Sequence, residues 1–216
     1  LGASVQIVPG CCGALSAHLG LREDGQAFAR GQIAAIRALE AQAPLDAVIV
    51  TASGCGTQLK DYGFQFRDDP VWAAPAARFA SLARDVSEVI AQLGLQGCDK
   101  SARLRVAYQS ACSLQHGQRI TELPQRLLRQ AGFEVLELAD SQLCCGSAGT
   151  YNLLQAELSG ELRQRKLDAI AAVQPQVLAS GNIGCMTQLA SAAGGRVVHT
   201  VELLNWATGG ARPPAL

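Results

Sequence analysis

Cys144 and Cys145 stand side by side and are followed at once by Gly146, in the run LCCGSAGTY at positions 143–151. Neighbouring residues place their Cα atoms about 3.8 Å apart across a trans peptide, short of the roughly 4.4–6.8 Å that a relaxed disulfide spans. A bridge within the pair would be strained, so thiol–disulfide chemistry here would have to be catalytic and transient. Two thiols beside a glycine that lets the backbone turn in closely point instead to one metal centre. For the pair alone, the competing reading is two small buried hydrophobes.

A repeat shifts the balance towards metal. Cys11-Cys12-Gly13 carries the same signature, and each pair is followed by a later glycine-flanked cysteine. Between Cys12 and Cys55 lie 42 residues, and between Cys145 and Cys185 lie 39. Thr57 and Gln58 after Cys55 match Thr187 and Gln188 after Cys185, the kind of self-similarity that marks internal duplication. The second copy has a further cysteine, Cys112, with 31 residues between it and Cys144. The same interval counted back from Cys11 falls upstream of Leu1. The expectation is a piece of a longer polypeptide that starts inside a repeat, with 1–97 as the truncated first copy and 98–216 as the second.

The elements that must position these thiols alternate between strand and helix. Ser4–Val8 reads as a strand ahead of the first pair. Ala29, Ile33, Ile36, Leu39 and Ala43 form an apolar helical stripe closed by Pro44. Ala47–Thr51 reads as a buried strand, with Cys55 in the glycine turn after it. A long helix is expected from Asp69-Pro70 to Leu93, with Phe79, Leu82, Val86, Val89 and Leu93 on one face and Gly94 as its cap. The polar stretch 96–102 is the expected junction, with Cys98 a free thiol rather than a ligand.

In the second copy, Leu104–Tyr108 reads as a strand, followed by Cys112 in a loop and a helix facing Ile120, Leu123, Leu127 and Ala131 inward. Phe133–Leu138 is the next strand, then the central pair, then a helix around Ser159–Ala172. Val177–Ala179 precedes Cys185, and Val197-Val198 and Glu202–Trp206 close the pattern as strand and helix. The fold class is therefore α/β: two tandem, similar repeats of parallel β-sheet with flanking helices. Sites in such sheets assemble at the carboxyl ends of strands, so Cys112, Cys144, Cys145 and Cys185 should converge on one pocket. Cys11, Cys12 and Cys55 should form an incomplete version.

Composition narrows the function classes. Eighteen basic residues balance eighteen acidic ones, which gives no polyanion-binding footprint and argues against nucleic acid. The apolar runs are far shorter than the roughly 18 residues that span a bilayer, so no transmembrane segment is expected. Eight cysteines in a long, helically periodic chain favour metal binding in a reducing compartment over a secreted disulfide scaffold. The chain reads as cytoplasmic, with any membrane association peripheral and made through partners.

The spacing of Cys112, Cys144-Cys145-Gly146 and Cys185 resembles the CCG cysteine-rich domain. That domain occurs, usually twice, in heterodisulfide reductase subunits, lactate-utilisation proteins and related iron–sulfur subunits. The phrases CCGSAGTYN, SGNIGC and VTASGCG look most like the iron–sulfur subunits of glycolate oxidases (glycolate dehydrogenases), over essentially the whole chain. The resemblance implies an electron-transfer role: a flavin (FAD) partner subunit oxidises glycolate to glyoxylate, and electrons pass through the iron–sulfur subunit to an acceptor such as a quinone. By itself this chain is not expected to be catalytic. The family's paired ferredoxin-type sites have no counterpart here, in keeping with the truncation.

The fuller family pattern ends in Cys-x-x-Cys, where this chain has Gln58 and Gln188. Cys112, Cys144, Cys145 and Cys185 still make four thiolates, the number a 4Fe-4S cluster takes. A second cluster would use Cys11, Cys12 and Cys55 with a missing ligand. His116, four residues after Cys112, could share its helix face and a zinc ion, or serve as a capping or outer group. Ser147 and Thr150 could hydrogen-bond cluster sulfurs, or Ser147 could cap a helix; Gln58 and Gln188 are further outer candidates. The alternatives left open are a zinc-stabilised interaction module and a catalytic subunit of a heterodisulfide-reductase-like or lactate-utilisation complex.

Overall fold

The computed structural model describes residues 1–98 and 104–216; of the expected junction at 96–102, the part from 99 onward lies outside the described residues. The chain forms two compact units, Gly2–Val86 and Ser87–Leu216.

In the first unit, α1 (Ala14–His18) and α2 (Arg22–Glu40) precede the strand β1 (Val48–Val50), and α3 (Ser53–Gln65) and α4 (Ala73–Leu82) precede β2 (Ala83–Asp85). Glu23 and Asp24 sit in the first turn of α2, where carboxylates complement the helix dipole. Its predicted stripe buries Ala29, Ile33 and Ile36 against Leu59, Tyr62, Phe66, Phe79 and Leu82. β1 and β2 pair in parallel, with Ile49 opposite Arg84.

Two expectations fail in this unit. The single helix from Asp69 to Leu93 is broken: Ala83–Asp85 leaves the helical path to pair with β1, and α5 (Val86–Leu93) follows. Ala83 and Asp85 are buried with Arg84 between them half-exposed, a period of two that the periodic helical stripe around it conceals. Ser4–Val8 is not a strand. Among the described residues it has no neighbouring strand to pair with, and Val5 and Ile7 are left exposed.

The second unit is a four-stranded parallel sheet in the order β4-β3-β5-β6. Its strands are β3 (Arg105–Gln109), β4 (Glu134–Leu136), β5 (Val177–Ser180) and β6 (Val197–His199). β5 is buried at every position, as a central parallel strand covered on both faces must be. After β3 comes a π-helical turn (Ser113–Gly117), then α6 (Leu123–Gln130), which starts with Pro124 in its first turn. Ile120 is buried as expected but lies ahead of that helix. Between β4 and β5 lie α7 (Tyr151–Leu154) and α8 (Ala156–Ala172). α9 (Ile183–Gln188), a 3-10 turn (Ala192–Gly195) and, after β6, α10 (Thr200–Ala207) complete the unit.

The connection from β3 goes outward to β4, and the next crosses back to β5 on the other side of β3. The crevice between the carboxyl ends of β3 and β5 is thus the topological switch point, where open α/β sheets place their sites. Among the described residues no helix is long and apolar enough to cross a membrane.

Candidate metal centre

The switch point of the second unit is where the thiols meet. Cys112 follows β3 at the mouth of the π-helical turn, and Cys185 lies in the first turn of α9 just after β5. Asn182 caps α9 and its side chain accepts the Cys185 backbone N–H at 3.2 Å, which fixes the angle at which that thiol enters. Cys144 and Cys145 arrive on the loop after β4. Cys145 Sγ lies 3.2 Å from Cys185 Sγ, and Cys144 accepts from both Cys112 and Cys145. Cys145 and Cys185 are part of the unit's hydrophobic core, beside Leu114, Leu138, Ile170 and Leu189.

The glycine after the pair is required by geometry. Gly146 has φ +91°, and a Cβ there would lie 2.5 Å from the Ser159 carbonyl oxygen. The close approach lets the Ser159 hydroxyl donate to the Gly146 carbonyl at 2.8 Å, while the Gly146 N–H points at Cys144 Sγ at 3.4 Å. Gln188 Nε2 in turn donates to Ser159 Oγ at 3.0 Å. The loop is therefore tied to the start of α8.

The first unit reproduces this cup with fewer parts. Gly13 has φ +77°, a Cβ there would lie 2.5 Å from the Gly25 carbonyl oxygen, and its N–H points at Cys11 Sγ at 3.4 Å. The Cys12 thiol donates to Cys55 Sγ at 3.1 Å. Tyr62, buried, donates its hydroxyl to the Cys12 carbonyl at 2.8 Å, and burial pushes its phenol well above the ordinary range. Cys55 sits in the first turn of α3 rather than in a free glycine turn, because the turn residues Ser53 and Gly54 already have helical geometry.

These contacts polarise the thiols. Accepting from Cys112 and then Cys145 pulls the Cys144 thiol far below its ordinary value. The donors Cys112 and Cys145 are held protonated, through their hydrogen bonds to Cys144. In the first unit the bond from Cys12 lowers Cys55 to about 7, and Cys12 is raised. Each cup thus contains one thiol already inclined to the thiolate that metals bind.

All eight cysteines are free. Among the described residues, no group of three or more His, Cys, Asp or Glu side chains is arranged to hold a single metal ion. The thiols touch in a chain instead of standing roughly 3.8 Å apart around one point, as a zinc tetrahedron requires. They also do not form the wide cup expected for a cluster, since contacts of 3.1–3.2 Å leave no room between the sulfurs. The donor set of the second cup, four thiols with one stabilised as thiolate, fits iron–sulfur ligation in kind and number; occupancy would spread the sulfurs.

The remaining candidates fall outside the thiol contacts. His116 is exposed on the π-helical turn. Ser147 is buried but caps no helix. Thr150 occupies the N-cap position of α7 without a side-chain cap bond. Gln58 is buried and donates to Gln65 Oε1 at 3.3 Å, so the twin glutamines make different contacts. Cys98 is half-buried. Sequence reasoning passed over Asn182, Ser159, Tyr62 and Lys166. Asn182, just ahead of a helix, had an N-cap signal. Lys166 and Ser159 recur with Ile170 on the inward stripe of α8, a periodicity that marks a buried lysine.

The chain belongs to the CCG cysteine-rich domain family, whose model matches residues 1–60 and 106–190. It is 38% identical over 199 residues to the glycolate oxidase iron-sulfur subunit of Escherichia coli (strain K12), covering 92% of this chain and 48% of that protein. To the probable glycolate oxidase iron-sulfur subunit of Bacillus subtilis (strain 168) it is 35% identical, covering 96% and 49%. Lactate utilization protein A of Oceanobacillus iheyensis is 26% identical, covering 90% and 80%. The chain thus spans about half the length of the two glycolate oxidase subunits it matches. The resemblance drawn from the cysteine spacing is borne out.

Proposed function

We propose that this chain is the cysteine-rich part of an electron-transfer iron–sulfur subunit of a glycolate dehydrogenase. The observation that carries this reading is the duplicated thiol cup, which brings sequence-distant cysteines to the carboxyl ends of parallel strands in both units. Cys112, Cys144, Cys145 and Cys185 would hold a 4Fe-4S cluster in the repeat at 98–216. Cys11, Cys12 and Cys55 would supply an incomplete set in the repeat at 1–97. When bound, such a cluster supplies a one-electron relay.

The chain's own residues do the positioning. Gly146 and Ser159 set the pair, Asn182 sets Cys185, and the core leucines keep water from the inner sulfurs, which tunes potential. A flavin-containing partner subunit carrying FAD would oxidise glycolate to glyoxylate and deliver electrons here, with a quinone as acceptor. The assembly would be cytoplasmic and peripheral to the inner membrane. This chain alone would not be the dehydrogenase; oxidation of glycolate would need the flavin partner.

Iron and acid-labile sulfide analysis with EPR on anaerobically purified chain tests the reading. Brown protein with iron and sulfide is the expected result. Colourless protein with stoichiometric zinc would overturn it in favour of a zinc-stabilised interaction module.

A further inference from the structure

Lys166 is fully buried in α8, at 0% exposure, where lysine is almost never found without partners. Its Nζ donates to the carbonyl oxygens of Asp140 at 2.9 Å and Ser141 at 3.3 Å. Those two residues open the strap that delivers Cys144 and Cys145, and Asp140 adopts φ +50°, a conformation non-glycine residues avoid. Burial lowers the pKa of Lys166, and the nearby Cys145, Asp140, Cys144 and Cys185 work against that by favouring its charged form.

The first unit repeats the device with a different residue. In α8, Ser159 meets Gly146, Lys166 follows seven residues later and the buried Ile170 four after that. In α2, Gly25 meets Gly13, Gln32 follows seven residues later and the buried Ile36 four after that. Gln32 Nε2 donates to the Pro9 carbonyl at 3.1 Å, on the strap that delivers Cys11 and Cys12. The tie from helix to strap is common to both cups. At this position the second cup has a charged side chain and the first a neutral one.

We propose that Lys166 is a positioning residue that fastens the Asp140–Ser141 strap and places a fixed positive charge beside Cys144 and Cys145, making the second cup the electropositive one. Resting on the metal-centre reading above, the consequence is a shift in redox potential. A cation beside a thiolate-ligated cluster favours the more negative, reduced form, so Lys166 makes the second cup take electrons more readily than it would without that charge.

The charge can be read without any metal. Each thiol of the reduced apo chain is labelled with an anionic aromatic disulfide and, separately, with a neutral pyridyl disulfide, and the rate at each cysteine is followed by mass spectrometry. The thiolate fraction cancels in the ratio of the two rates, which then reports local potential. Lys166→Gln, which keeps an amide-to-carbonyl tie like that of Gln32, should lower the anionic-to-neutral ratio at Cys144 on the order of threefold. Gln32→Lys should raise the ratio at Cys11 by a similar factor.

An unchanged ratio at Cys144 in a folded Lys166→Gln chain would overturn the proposal. If that variant does not fold, an unchanged Cys11 ratio in Gln32→Lys overturns it instead. The strap is tested by amide hydrogen exchange across residues 140–146, which should be faster in Lys166→Met than in Lys166→Gln; equal rates would remove the tie. In iron-loaded chain the second-cup midpoint potential should fall in Lys166→Gln. A wild-type chain that takes up no iron overturns the proposed function, while the labelling ratios still decide the role of Lys166.

Discussion

The two thiol cups share a glycine turn, a helix-borne tie and one thiol-to-thiol contact, yet they differ in depth. In the second, Cys145 and Cys185 are 2% and 6% exposed and belong to the hydrophobic core. In the first, Cys11 is exposed and Cys12 and Cys55 are half-buried. In the second unit the cup lies at the switch point of four parallel strands, where Cys112 follows β3. In the first, two paired strands stand beside the cup among the described residues.

The most severe way to break the symmetry is to remove a sulfur from the deeper cup. Cys145→Ser should abolish iron at the second cup while leaving any first-cup iron in place, and Cys98→Ser should leave total iron unchanged; iron and sulfide analysis decides. Equal losses from the two variants would show the ligand assignment to be wrong.

A second test addresses how the shallower cup is polarised. Cys55 is lowered from an ordinary 9.0 to about 7 by the bond it accepts from Cys12, so its alkylation by iodoacetamide should climb as pH rises through about 7. Cys12→Ala removes that donor, and the inflection should move back toward 9.0. The same shift means that the thiolate's contribution to stability is present above the unfolded-state value. It is lost as pH falls through about 7.

The glycine turns should be matched in sensitivity. Gly146→Ala and Gly13→Ala each place a Cβ 2.5 Å from a backbone carbonyl oxygen at positive φ, a strain worth roughly 1–3 kcal/mol in either unit. Chemical denaturation followed by circular dichroism measures it, and wild-type stability in either variant would contradict the close approach. The smallest effect belongs to Asn182→Ala, where loss of the cap on α9 should cost about 1 kcal/mol. No comparable loss is expected from Ala52→Gly, since Ala52 stands at the N-cap of α3 without a side-chain bond.

Much of this protein was legible as pattern. The duplicated cysteine spacing, the helical stripes of α2 and α8 and the apolar strand before each late cysteine are local features, because side-chain period and turn chemistry are written residue by residue. They determined the fold class, and with the parallel topology they led to the convergence of Cys112, Cys144, Cys145 and Cys185 as an expectation. What only the tertiary structure decided is non-local. Residues 83–85 became a strand because β1 offered a partner, against the helical pattern on either side. Ser4–Val8 did not, and among the described residues no strand pairs with it. The contacts that set which thiol gives up its proton, and the burial of Lys166 against two carbonyls, depend on chain segments tens of residues apart coming within 3.3 Å. No periodicity in the sequence encodes a distance of that kind.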